Sequence, residues 1–383
     1  MSLPHPATVA TLPLSAITPA EIEAWSALER EALEPNVYLS PPFVLAAARH
    51  LTPTAAPVLL MARVSGRLAG LGVFEHAAAS WRLPCRHLRT YLPVHAFLSG
   101  LLVHRDHAPE VVSGVLHWMA RHPDAPPALA IEGWLATGPT ATMLRDSAPA
   151  FGLDWWSHSQ QDRAILHRES APAAAGPQMS KRRRSRLRLA LGGLAAKGAV
   201  RWDLKRGAEV TPAVVDRFLA LEAMGWKGEA GTALLSAPEH AAFFRDVVAA
   251  LAVGERVFFT ELWCGDRIIA STSNFVAGRV GFAFKLGWDP AFRDQSPGLL
   301  NERFLMERFP DLLPGVDYLD SGAQPGSFIE ELWPDRTTLE WGCLVSGRIL
   351  KLHQRIFFGL RSARRAVTGR LRATPGPSAV TVP

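Results

Sequence analysis

The chain has 383 residues, 48% of them hydrophobic and 20% charged, with a formal net charge of +6. That length exceeds one ordinary core and implies two domains, and the composition excludes a disordered or fibrous chain. Three cysteines (Cys85, Cys264, Cys343) without a CxxC pair and thirteen histidines without HxxxH or HExxH spacing argue against a disulfide framework and against a metal site.

The N-terminal MSLPHPATVATLPLSA has neither a basic start nor a long apolar run, so no secretory signal is expected. No stretch reaches about 18 apolar residues, so no membrane span is expected, and the cytoplasm is the default location. Thr18-Pro19-Ala20-Glu21 opens a helix to about Leu33, with Thr18 as its N-cap. PVLLMARV at 57–64 and LAGLGVFE at 68–75 flank Ser65-Gly66-Arg67 as a hairpin. A helix is expected over 108–121, a buried strand over 129–133, a helix over 139–149, and strands over 154–158 and 163–167. These elements make a first α/β lobe over 1–169.

The Ala-, Pro- and Gly-rich SAPAAAGPQM at 170–179 reads as a linker, followed by a helix over 181–197. Linker and helix together join the lobes over 170–200. The start of that helix, KRRRSRLR, holds six positive charges and no negative one. Such a run is either a solvated helix face or a set of phosphate contacts to RNA or anionic lipid. No aromatic residue interleaves it, which argues against base stacking.

The second lobe spans 201–347. Thr211-Pro212 starts a helix to about Met224, and Pro238 to Leu251 forms another, with Gly254 just past its end. Strands are expected at 257–263, 268–276 and 280–288, then a helix from 297 to about 308 and a strand at 316–322. The tail 348–383 mixes Ile349, Leu352, Ile356, Phe357 and Leu360 with eight Lys/Arg before residue 373. It reads as an amphipathic helix that packs on the body or lies on an anionic membrane surface, followed by eleven disordered residues.

The stretch VGFAFKLGWDPAFRDQSPGLLNER at 280–303 is the most informative. A strand runs into a loop holding Arg293, and a helix follows at once, with Ser296 suited to the N-cap, Pro297 to the first helical position, and Gly298 to close backbone approach. A helix opened this way points unpaired N–H groups outward, a site for a phosphate-bearing ligand. Lys285 stands inside an apolar strand, where a cation is costly unless it is paired or lines a cleft. Strict alternation would put it on one face with Gly281, Ala283 and Gly287. Asp289 either pairs with it or starts a turn. Glu222, Trp226 and Lys227 lie at a helix end and the loop after it. A carboxylate there suits a general base, a lysine suits an anionic acceptor or acyl oxygen, and the tryptophan suits core packing first. Asp320 ends the last strand as a second candidate base, with Tyr318 two residues earlier on the same strand face. No G-x-S-x-G occurs, and Gly70-x-Gly72 has no third glycine, so neither a hydrolase elbow nor a dinucleotide site is supported.

Three segments carry a family likeness: Leu221–Thr232 (LEAMGWKGEAGT), Lys285–Pro290 (KLGWDP) and Ser296–Leu300 (SPGLL). With the element order helix, helix, three antiparallel strands, helix, strand, they resemble the GNAT acyltransferases, most locally the branch of CelD-type cellulose-biosynthesis proteins and Fem aminoacyl transferases. The likeness runs over about 180–345 and extends to a degenerate first lobe. It implies an α/β (α+β) fold of two GNAT-like lobes, each a mixed, mostly antiparallel sheet flanked by helices. The family's loop pattern, R/Q-x-x-G-x-G/A, corresponds to Arg293, Ser296 and Gly298, with serine in place of the first glycine.

The resemblance further implies acetyl-CoA or another acyl-CoA as co-substrate, with Leu286, Gly287, Trp288, Arg293, Ser296, Pro297, Gly298 and Leu299 as its contacts and no metal. It implies N-acetyl or other acyl transfer to an amine or hydroxyl of a small-molecule or saccharide acceptor, in polysaccharide or cell-envelope biosynthesis. Glu222, Asp320, Lys285 and Tyr318 become catalytic candidates, and Trp226, Lys227 and Asp289 substrate-binding ones. The alternatives are a Fem-like transferase drawing on aminoacyl-tRNA, and a non-catalytic GNAT scaffold held peripherally at the inner membrane face by 348–372.

Overall fold

Proline and short polar residues set where helices begin. Thr18 accepts from the Glu21 amide while the Glu21 carboxylate accepts from Thr18 N–H at 2.9 Å, a capping box that opens helix Pro19–Arg30. The Ser40 hydroxyl caps helix Pro41–His50, a short element without a clear periodic signal. Proline takes the first position of helices Pro139–Ser147, Pro212–Glu222, Pro238–Ala252 and Pro297–Leu312, where its missing N–H has no partner to lose. The computed structural model describes residues 6–51, 56–171 and 180–372, with side chains throughout except at 226, 227 and 361–372. Residues 172–179 of the expected linker and the tail 373–383 lie outside the described residues.

The strands are β1 Thr8–Pro13, β2 Pro57–Val64, β3 Arg67–Ala77, β4 His87–Thr90, β5 Leu102–Val103, β6 Ala128–Leu135, β7 Asp154–His167, β8 Val200–Arg206, β9 Val257–Cys264, β10 Arg267–Ala277, β11 Val280–Trp288, β12 Tyr318–Asp320 and β13 Asp335–Val345. The two short strands expected at 154–158 and 163–167 are one strand, β7, and the strand expected at 316–322 pairs only over Tyr318–Asp320. All belong to one mixed, mostly antiparallel sheet of order β1-β2-β3-β4-β6-β13-β7-β12-β11-β10-β9-β8, with β5 beside β3.

That order repeats itself about its middle. Each half has one parallel pair, β4–β6 in the first and β11–β12 in the second. Between the halves lie β13 and β7, paired antiparallel from Asp335↔Ile165 to Val345↔Asp154. β13 comes from the end of the second half yet pairs β6 of the first, while β7 from the first half pairs β12 of the second. One buried cluster draws on both halves, including Trp25, Phe43, Phe218, Phe244 and Phe284. On the other side of the second half, helices Lys181–Ala195 and Pro297–Leu312 bury Leu187, Leu194, Leu305 and Phe309 against Ile269 and Trp333.

Candidate active site

The parallel pairing of β11 and β12 lasts for three residues, Val280–Phe282 against Tyr318–Asp320. Beyond Phe282 the strands part, and among the described residues no strand pairs with the continuing edge of β11 on that flank. Asp320 turns the chain away: its Oδ1 accepts from Gly322 N–H at 2.8 Å, and Gly322 takes φ +62°. A side chain at Gly322 would meet the Ala283 carbonyl oxygen at 2.8 Å, so glycine lets the chain leave closely beside β11.

A bulge falls at this fork. Ser273 on β10 faces Lys285 and Asn274 faces Ala283, which leaves Phe284 as an extra residue. The bulge breaks strict alternation, so Lys285 does not share a face with Gly281 and Ala283 as expected. Its Nζ lies 5.7 Å from the Phe97 ring centre and 5.8 Å from that of Phe284, on the side of the core shared by both halves. Ala283 packs toward the other side, under helix Pro297–Leu312.

The helix start after β11 is exposed to a cavity of about 350 Å³ lined by Leu286, Trp288, Arg293, Ser296 to Leu299 and Arg186. A smaller cavity of about 90 Å³ continues into the fork between Ala283–Leu286 and Ser321–Ala323; Leu286 and Phe328 line both. Ser296 occupies the N-cap position but not as expected. Its φ is +46° and ψ is 55°, and its hydroxyl makes no capping bond. Its carbonyl still accepts from Leu300 N–H at 3.1 Å. Pro297 has no N–H, so Gly298 and Leu299 are left with amides that have no acceptor within the helix. A side chain at Gly298 would reach Leu286 Cδ2 at 3.1 Å and Trp288 Cδ1 at 3.6 Å, into the cavity wall.

Two guanidinium groups flank this helix start. Arg293 comes from the loop and Arg186 from the basic helix. The helix is held there by Leu187, Ala190 and Leu194 in the core, by Arg183 on Glu331, and by Lys197 on Gln295 at 3.1 Å. The charge run is largely solvent-exposed, Arg186 included, but Arg186 also lines the cavity at the helix start.

Glu302, a residue the sequence reading passed over, forms part of the wall of the inner cavity. It is 3% exposed, and its Oε1 accepts from Thr272 Oγ1 at 2.5 Å while Oε2 has no hydrogen-bond partner. Burial pushes its carboxyl up to about 7, against the opposing pull of the Thr272 bond. His95 was also passed over, because a loop residue carries no periodic signal. It reaches from the first half onto the far side of the fork, stacked on Phe243 at 5.5 Å, edge-on to His240 at 4.8 Å and to Phe284 at 6.1 Å. Neither ring nitrogen has a hydrogen-bond partner, and burial, with Lys285 and His240, lowers its pKa to about 3.

Several expected roles do not fit their positions. Tyr318 pairs with Val280 at the start of β11, four residues from the bulge, or about 13 Å at strand rise. It lines a separate cavity of about 560 Å³ with Glu34, Arg279 and Asp317, and burial first, then Asp320, raises its phenol pKa. Asp320 is 3% exposed and lies 3.5 Å from the equally buried Arg163, so it is committed to an ion pair and a turn rather than free to act as a base. Asp289 pairs with Arg267 at 2.5 Å and caps Ala291 N–H, away from Lys285. Glu222 is 1% exposed and accepts from Leu234 N–H at 2.8 Å, fixing the loop after its helix. Gly287 gives its open side to that helix and not to a ligand: a side chain there would meet the Glu222 backbone at 2.6 Å. Trp226 and Lys227 begin a short helix, Trp226–Glu229, and their side chains lie outside the described residues.

The equivalent fork in the first half is closed. Between β4 and β6 the loop at 91–101 crosses, with Ser99 Oγ donating to Glu132 O at 2.6 Å and Ser99 N–H donating to Gly133 O at 2.9 Å.

Residues 181–328 match the family described as acetyltransferase (GNAT) domain. A search of curated proteins gives no match. Among solved structures the chain is similar to FemX, at TM-score 0.55 and 11% identity over 86% of this chain and 96% of that one. It is similar to a conserved protein of unknown function from Bacteroides thetaiotaomicron, at TM-score 0.54 and 13% identity over 86% and 98%. It is also similar to the C-terminal domain of a protein from Agrobacterium fabrum described as a lysylphosphatidylglycerol synthetase, at TM-score 0.53 and 11% identity over 87% and 94%. At such identities the likeness is one of fold. The second half of the chain is thus similar in sequence to a GNAT acetyltransferase domain, set in a whole-chain fold like that of FemX.

Proposed function

We propose that the second half transfers an acyl group, acetyl foremost, from an acyl-CoA to an amine or hydroxyl acceptor. One observation carries this reading: a helix start that lines a cavity together with Arg186 and Arg293 adjoins the fork between β11 and β12. Diphosphate suits the amides of Gly298 and Leu299 and the two guanidinium groups. A slender thiol-bearing arm suits the fork, which points at the bulge.

In this reading the acceptor attacks the thioester carbonyl directly, the C–S bond breaks, and coenzyme A leaves as a thiolate that takes up the acceptor's proton. Backbone N–H groups at the bulge and the Lys285 ammonium stabilise the developing oxyanion. Glu302, about half protonated at neutral pH, donates in its protonated form from Oε2 to a carbonyl of the bound arm. His95 stays a neutral imidazole on the far side of the fork, beside Lys285. The acceptor itself is a small molecule or saccharide amine or hydroxyl.

Calorimetric titration with coenzyme A and acetyl-CoA tests the reading. The wild-type chain binds, and Gly298→Leu, which fills the cavity, does not, while its melting curve is retained. Equal affinity in the two proteins removes the assignment.

A second reading draws on Arg182 and Arg186, which also line a surface hollow of about 460 Å³ beside the helix start. A donor with a longer phosphate backbone, such as an aminoacyl-tRNA end, would track along them. Salt-sensitive tRNA binding that is lost on neutralising 181–188, with no affinity for acyl-CoA, would favour it.

A further inference from the structure

Helix Arg348–Arg372 has two apolar faces. One is packed. Phe358 stacks on Trp156 at 5.1 Å, Phe357 is buried beside His158, and Gln354, fully buried, donates to Arg82 O at 2.7 Å. Lys351 fixes the register with Asp154 at 2.8 Å. The other face is bare. Ile349, Leu352, Ile356 and Leu360 are 85%, 59%, 55% and 64% exposed. Their spacing of three, four and four residues places them on one stripe of the helix. Trp81, 74% exposed, stands beside this helix against Phe357 at 4.9 Å, and Arg82 adjoins it.

We propose that this stripe, with Trp81, is a docking surface for an anionic phospholipid bilayer. Charge selects the occupant. Residues 348–372 hold eight Lys/Arg and no Asp/Glu, and only Lys351 is paired in the contacts described, so the same helix of a second copy laid against the stripe would oppose like charges. Anionic headgroups supply that counter-charge, while the aliphatic stripe enters the boundary between headgroups and acyl chains. An exposed tryptophan is the residue type that prefers this boundary. The contact is peripheral, because among the described residues no helix is long and apolar enough to cross a membrane. The proposal is independent of what the β11–β12 fork binds.

The full chain is sedimented with vesicles of phosphatidylcholine alone and of phosphatidylcholine with phosphatidylglycerol. Binding is expected only to the anionic vesicles, weakening steeply as salt rises from about 0.1 M to about 0.5 M. The triple variant Ile349→Gln, Leu352→Gln, Ile356→Gln is expected to lose roughly tenfold or more in partitioning. Its melting curve is the control that the packed face is intact. Trp81→Ala is expected to weaken binding several-fold by itself. Absence of binding to the anionic vesicles overturns the proposal, as does equal binding by the triple variant. So does a wild-type dimer in solution that the triple variant converts to a monomer.

Discussion

Asn301 and Glu302 converge on one hydroxyl: Thr272 Oγ1 receives from Asn301 Nδ2 at 3.0 Å and donates to Glu302 Oε1 at 2.5 Å. Trp202 Nε1 in turn donates to Asn301 Oδ1 at 2.9 Å, which fixes the amide. The network holds Glu302 in one orientation, with Oε2 left over at the cavity.

A carboxyl whose pKa rises from 4.5 in the unfolded chain to about 7 in the fold favours folding most below the lower value. That contribution is lost as pH climbs from 4.5 through 7, because the unfolded chain ionises first. Glu302→Gln keeps an acceptor for Thr272 and removes the ionisation. Denaturant unfolding is expected to show little difference near pH 4.5 and a more stable variant at pH 8, on the order of 2–3 kcal/mol.

His95 works in the opposite direction. Its folded pKa is depressed to about 3, so the stability it allows is present above the ordinary 6.5 and is lost as pH falls toward 3. His95→Phe preserves the stacking on Phe243 and removes the titration. The acid limb of the stability curve should flatten between those values.

Removing either guanidinium at the helix start separates the donor's phosphates from the rest of the site. Arg186→Ala and Arg293→Ala are each expected to weaken coenzyme A binding roughly tenfold, as loss of a charge-assisted hydrogen bond does, and to reduce its salt dependence. Dephospho-coenzyme A and pantetheine, titrated in parallel, locate which phosphate each arginine meets.

Gly287→Ala puts a methyl group 2.6 Å from the backbone of Glu222. The end of helix Pro212–Glu222 must then lift off β11. A loss of about 1–3 kcal/mol is expected by chemical unfolding, as for other overpacked sites.

The second half was legible because its signals are local. Proline at helix starts, a Gly-Asp turn between β9 and β10, and the short passage from β11 to the helix at Pro297 each fit within a few residues. The helix start at 297 follows from them. What could not be read is non-local. The bulge at Phe284 depends on which residues of β10 face β11, so the side taken by Lys285 was misread. Glu302 looked like an ordinary helix position because its partner Thr272 lies thirty residues away. His95 belongs to a loop whose place is set by the first half. Asp320 and Asp289 looked available because Arg163 and Arg267, their partners, sit on other strands.

The central exchange of β7 and β13 constrains how the chain is born. During synthesis the first half emerges with β6 and β7 made but the strand that lies between them, β13, still some 170 residues away. Until Val345 leaves the ribosome, the facing edges of β6 and β7 have unpaired backbone groups that invite association with other chains. Neither half can finish alone, so nascent copies of this protein need protection from the emergence of β7 until β13 is made.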